Sequence, residues 1–116
     1  MKIYLSGPVS SKPPAQARAD FAAAASEIER RGHEPVNPCL LQNILKPETT
    51  SWEQYMEAAI GLLRASDAIV MLPGWETSKG ARQEYREILG NTTKHKEIFY
   101  RLEDVPRIRT EAADGE

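Results

Sequence analysis

Short apolar runs alternate along the chain with longer stretches in which apolar positions recur every three or four residues. That is the pattern of strands and helices taken in turn. Ile3 to Leu5 is a brief run of strand formers, stopped by Ser6-Gly7-Pro8. From Pro14 to Arg31, Phe21, Ala25 and Ile28 mark the inner side of a helix, and Gly32 stands where its C-terminal cap belongs. Glu34 to Val36 predicts a second strand, ended by Asn37-Pro38 and followed by a loop to about Thr50. Ser51 and Gln54 have capping-box spacing ahead of a second helix, which carries Trp52, Met56, Ala59 and Leu63 on one side and ends near Ser66. Ala68-Ile69-Val70-Met71-Leu72 is apolar without alternation, as in a strand covered on both faces, and Pro73-Gly74 terminates it. Ser78 is placed to cap a third helix with Ala81, Tyr85 and Ile88 or Leu89 facing inward and Gly90-Asn91 at its end. Glu97 to Leu102 supplies the last strand.

Strands alternating with helices over short links predict an α/β sandwich with a parallel sheet of about four to five strands. Its 116 residues suffice for one such unit, which we place at residues 1–104, with a polar, flexible tail expected at 105–116. Fifteen Lys and Arg against seventeen Asp and Glu give a net charge of −2, so there is no basic excess to neutralise a nucleic-acid backbone. Cys39 is the single cysteine and has no internal disulfide partner. No apolar run approaches a bilayer span, and Met1 leads straight into strand-like sequence without a signal-peptide pattern. A cytoplasmic, reducing setting is the expectation.

In an open parallel sheet, ligands bind beyond the carboxyl ends of the strands, where the strand order reverses. Two loops therefore matter: Ser6 to Ser11, and Pro73 to Gly80. The second enters a helix N-terminus, whose free N–H groups favour an anion, and Lys79 and Arg82 add positive charge. Neither loop carries a Walker or dinucleotide fingerprint, so both read equally well as ordinary turns. Glu84 lies three residues after Ala81 and four before Ile88, at the border of the inward stripe. A carboxylate there is either paired, with Arg82 or a residue from elsewhere, or used. Trp75 is either a stacking platform for a flat ring or a loop anchor, and Trp52 reads as core or as a staple at its helix start. Asp67 reads as a residue that caps or orients the chain ahead of its strand. His33 and His95 read as surface residues, and Cys39 lacks the neighbours of a nucleophile. No Cys or His pair has zinc spacing, so neither a metal nor an organic cofactor is expected.

Taken together, Ile3-Tyr4-Leu5-Ser6-Gly7-Pro8, Gly32-His33-Glu34 with Asn37-Pro38, Ser66-Asp67-Ala68-Ile69, and Leu72-Pro73-Gly74-Trp75-Glu76 with Ser78-Lys79-Gly80-Ala81 and Glu84 resemble the nucleoside 2-deoxyribosyltransferase superfamily. The likeness is to a small, often phage-associated branch near the 2′-deoxynucleoside 5′-phosphate N-hydrolases. It implies a flavodoxin-like fold and cleavage of an N-glycosidic bond by hydrolysis or transfer. By the same resemblance Glu84 is the nucleophile on the anomeric carbon and Tyr4 orients it. Ser78 falls where nucleoside-specific relatives place an aspartate and monophosphate-specific ones a serine. The resemblance thus points to a nucleoside 5′-monophosphate, its phosphate on Ser78, Gly80 and the Ser6-Gly7-Pro8 loop, its base near Trp75. A homo-oligomer is implied as well, and no nucleic-acid or membrane partner. One position departs from the pattern. The aspartate that assists departure of the base is here Ala59, and Glu57 is turned about 200° around the helix from it. The alternatives are a catalytically silent nucleotide-binding or sensing module, and a phage-type accessory interaction protein on the same scaffold.

Overall fold

The computed structural model describes residues 1–90 and 96–108. Four strands and three helices follow in strict alternation: β1 (Lys2–Ser6), α1 (Pro14–Arg30), β2 (Glu34–Val36), α2 (Trp52–Arg64), β3 (Ala68–Met71), α3 (Lys79–Gly90) and β4 (Glu97–Phe99). The strands form one all-parallel sheet in the order β2-β1-β3-β4. This is the flavodoxin-like order through its fourth strand, with the switch point between β1 and β3.

Alternation along β1 and β3 divides the core between two faces. Ile3, Leu5 and Val70 pack with Phe21, Ala24 and Ile28 of α1. On the opposite face Tyr4, Ile69 and Met71 pack with Met56, Ala59, Ile60 and Leu63 of α2 and Ile88 of α3. Both central strands are therefore buried on both sides, which is why β3 reads as a continuous apolar run. No helix among the described residues is long and apolar enough to cross a membrane.

The predicted capping box forms. Ser51 Oγ accepts from the Gln54 amide at 3.0 Å, and Gln54 Oε1 accepts from the Ser51 amide at 2.8 Å. Gly32 follows α1 with φ +91°, a left-handed conformation that favours glycine. Asp67 does orient the chain: its Oδ2 accepts the Lys2 amide at 2.8 Å, tying the approach to β3 to the start of β1. Gly7 has a different reason to be glycine, since a Cβ there would lie 2.9 Å from Leu72 Cβ. A Cβ atom cannot swing aside as a long side chain can. Gly7→Ala is expected to cost ~1–3 kcal/mol in chemical denaturation; a stability equal to the parent's would mean that the β1 and β3 ends separate freely.

Several expectations need correction. The last strand stops at Phe99, and Leu102–Asp104 form a 3₁₀ turn instead of strand. The loop before α2 contains a 3₁₀ turn, Pro38–Asn43, started by Pro38 and by the Asn37 side chain accepting from the Cys39 amide. Leu89 is 62% exposed, and α3 turns Ala81, Glu84, Glu87 and Ile88 inward, with Tyr85 half-buried. His33 is buried, not at the surface. Its Nε2 lies 2.7 Å from the Pro106 carbonyl, which accepts, and its Nδ1 lies 3.2 Å from the amino group of Met1. The chain beyond 104 covers it: Val105 is buried and the Ile108 amide donates to the Arg31 carbonyl at 2.8 Å. Packing thus continues past residue 104, while the rest of the tail at 109–116, Asn91 and His95 lie outside the described residues.

Candidate active site

Tyr4 and Ser6 are two residues apart on β1, so both side chains leave the sheet on the face that α3 covers. Glu84 comes down from α3 between them. The Tyr4 hydroxyl donates to Glu84 Oε2, and Ser6 Oγ donates to Oε1 at 2.6 Å. The carboxyl group is 5% exposed, and its partners are hydroxyls instead of the Arg82 or other cation that a rim ion pair would need.

Burial dominates the electrostatics. It pushes the Glu84 carboxyl from an ordinary 4.5 up to about 7, against the hydrogen bonds from Ser6 and Tyr4 that favour the charged form. Burial, and then the neighbouring Glu84, hold the Tyr4 hydroxyl well above its usual range. Tyr4 therefore stays a proton donor whenever the carboxylate forms. The result is a carboxyl group that changes charge near neutrality and is fixed by two donors on the central strand. Ser6→Ala removes one donor to the charged form, so the Glu84 titration should move upward by ~1 unit, as read from its side-chain carboxyl carbon by NMR. A downward or null shift would show that the Ser6 hydroxyl does not support the carboxylate.

In front of Glu84 lies a hollow of about 30 Å³, bordered by Gly7, Trp52, Tyr55, Met56, Ser78 and Gly80. It has room for little more than water. Ser78 lines it and caps α3, its Oγ accepting from the Ala81 amide at 3.2 Å. Lys79 does not point into the hollow: its Nζ stands 4.3 Å from the centre of the Trp52 ring. Tyr55 donates to the Pro38 carbonyl at 3.1 Å, and its hydroxyl is pushed upward chiefly by burial. Cys39, buried below, has its thiol raised to about 11 by burial, which keeps it protonated and inert.

The site residues expected from the sequence divide in two. Glu84, Tyr4 and Ser6 meet, and Gly7, Ser78 and Gly80 border the same hollow. Pro8 and Trp75 do not border it. They line a separate groove of about 990 Å³ between α1 and the loops after β3 and β4. Trp75, in the 3₁₀ turn Trp75–Thr77, packs against Tyr85, with the ring centres 4.8 Å apart and the planes tilted by 48°. The aromatic residues at the hollow are Phe21, Trp52 and Tyr55, and Trp52 is the tryptophan among them. Its position at the first turn of a capped helix, at the carboxyl edge of the sheet, was the available signal. Ala59 is fully buried one turn beyond Tyr55 and Met56, and Glu57 is exposed. Among the described residues Glu84 is thus the one carboxylate bordering the hollow. Among them, too, no group of three or more His, Cys, Asp or Glu side chains could hold a metal ion.

Fold and site together define a single flavodoxin-like α/β domain whose buried helix carboxylate is clamped by two strand hydroxyls at the switch point of the sheet. The chain belongs to the family described as Domain of unknown function (DUF4406), which matches residues 1–98. The match covers every strand start, all three helices and all the site residues described above. None of the curated proteins matches this sequence.

Proposed function

We propose that the domain cleaves the N-glycosidic bond of a nucleoside 5′-monophosphate, with Glu84 as nucleophile. The observation that carries this reading is the Glu84 carboxyl itself, buried, raised to about 7 and held by Tyr4 and Ser6 at the edge of a hollow. A buried carboxylate without a cation is costly to keep, and perturbed carboxyls of this kind cluster where chemistry is done. In the ionised state one Glu84 oxygen attacks C1′ and the bond from C1′ to the base nitrogen breaks. The base leaves with the electron pair and takes a proton from water. A sugar–Glu84 ester remains; water or a second base then attacks C1′, and the carboxylate is released.

The preference for a phosphorylated substrate rests on Ser78 and Gly80 at the start of α3. The helix N-terminus and the nearby Lys79 favour an anion there, and among the described residues Glu84 is the one carboxylate on the same hollow. The sequence likeness to deoxyribosyltransferases supports the same reading, including a homo-oligomeric state. Ala59 supports a second one, in which the domain binds the nucleotide and leaves it whole.

Incubation with the common 2′-deoxynucleoside 5′-monophosphates, with free base followed by chromatography, separates the two. Release of base supports cleavage. A thermal shift with nucleotide but no free base supports sensing, and silence in both measurements rejects any nucleotide reading.

A further inference from the structure

Trp52 and Lys79 are the first residues of α2 and α3, and the ammonium of one rests on the ring of the other, 4.3 Å from its centre. Trp52 itself borders the Glu84 hollow, together with Ser78 and Gly80 on either side of Lys79 in sequence. The pair therefore joins two helix starts beside a space of about 30 Å³, too small for a sugar, and Trp52 is part of its wall. Something in that wall must part before a ligand can reach Glu84. Three of the other wall positions are poorly suited to yield: Gly7 abuts Leu72, Gly80 would bring a Cβ within 3.3 Å of Met56, and Ser78 is tied into the α3 cap. Lys79 is exposed and Trp52 half-buried, and an exposed contact between an ammonium and a ring is weak.

We propose that Trp52 and Lys79 form a paired specificity element: an anionic group on the ligand draws Lys79 off the indole, and the uncovered indole then stacks on the ligand's planar ring. A ligand carrying both groups gains twice, since one group releases the surface that the other uses. A nucleoside without phosphate must displace the ammonium unaided, and a sugar phosphate without a base leaves the indole bare. The element thus selects molecules that join an anion to a flat heterocycle. This rests on the nucleotide reading above, and it replaces Trp75 by Trp52 as the ring that meets the base.

The two tryptophans of the chain make the test direct. In a Trp75→Phe background Trp52 is the sole indole, and its fluorescence is followed while binding is measured independently by calorimetry. The probes are 2′-deoxynucleoside 5′-monophosphates, the matching nucleosides, and 2-deoxyribose 5-phosphate. Monophosphates should quench Trp52 strongly and bind more tightly than nucleosides. Trp52→Ala should weaken monophosphate binding ~10-fold and leave the sugar phosphate unchanged, with Trp52→Phe restoring most of the loss. Lys79→Ala should erase the preference for monophosphate over nucleoside, and Lys79→Arg should retain it. Monophosphate binding that leaves Trp52 fluorescence and the Trp52→Ala affinity unaltered overturns the paired element while sparing the nucleotide reading. Absence of calorimetric binding by every probe overturns both.

Discussion

Glu84→Gln is expected to lower base release by at least ~10³-fold and, at pH 8, to raise the melting temperature by several degrees. The first effect follows because an amide cannot attack C1′. The second follows from burial. The folded carboxyl titrates near 7 and the unfolded one near 4.5, so the fold favours the protonated form. That contribution is fully present below 4.5 and is lost as the pH rises through 7. At pH 8 the parent carries a buried carboxylate whose charging has removed ~3 kcal/mol, whereas glutamine keeps a similar shape and stays neutral. The gain should shrink towards pH 5, where the parent carboxyl is largely protonated as well. Turnover that survives the substitution would move the chemistry away from Glu84, and a pH-independent gain in melting temperature would mean that burial does not govern this group. Catalysis should show the complementary trend, rising with pH through about 7 as the nucleophile ionises. The charge state that the proposed chemistry requires is the one that burial disfavours.

Ala59→Asp is expected to raise base release ~10²-fold while lowering stability. Ala59 is fully buried, in the apolar cluster that holds Tyr4, Met56 and Leu63. Helical side chains lean towards the helix N-terminus, so a longer group at 59 reaches over Tyr55 and Met56, two residues that border the hollow. A carboxyl there could protonate the departing base, a task for which the hollow has no second acid. It would also be desolvated and near Glu84, so some of it would hold a proton at neutral pH, as a general acid must. The cost is a polar group in a packed apolar layer, ~2 kcal/mol or more. Asn at the same position provides the control, with a similar packing cost and no acid. Equal rates for Ala59, Asp and Asn variants that remain folded would mean that proton delivery to the base is not what this position limits.

Much of this architecture is legible in local sequence. The capping box of Ser51 and Gln54, the apolar run of β3 and the Gly32 cap depend on neighbours a few residues away, and each forms as read. Glu84 stood out because a carboxylate at the border of an inward stripe demands an explanation. Ser6 was legible only in part. It reads as a turn residue, yet it shares with Tyr4 the alternation that aims both hydroxyls at α3. Contacts across the whole chain left no local trace. His33 follows a helix cap, as surface residues do, and only the return of Val105 to Ile108 buries it. The placement of Trp75 on the larger groove and of Trp52 on the Glu84 hollow was equally illegible, because local pattern does not say which way a ring at a loop or helix start faces.

The placement of Tyr4 and Ser6 on β1 has a dynamic consequence. β1 is hydrogen-bonded on both flanks, to β2 and to β3, so its amides can exchange with solvent deuterium only through the largest openings of the molecule. The donors that aim Glu84 are thus expected in the most slowly exchanging layer, whereas Trp52 is half-buried and Lys79 exposed at the starts of their helices. Hydrogen exchange should therefore show the Tyr4 and Ser6 amides more protected than those of Trp52 and Lys79.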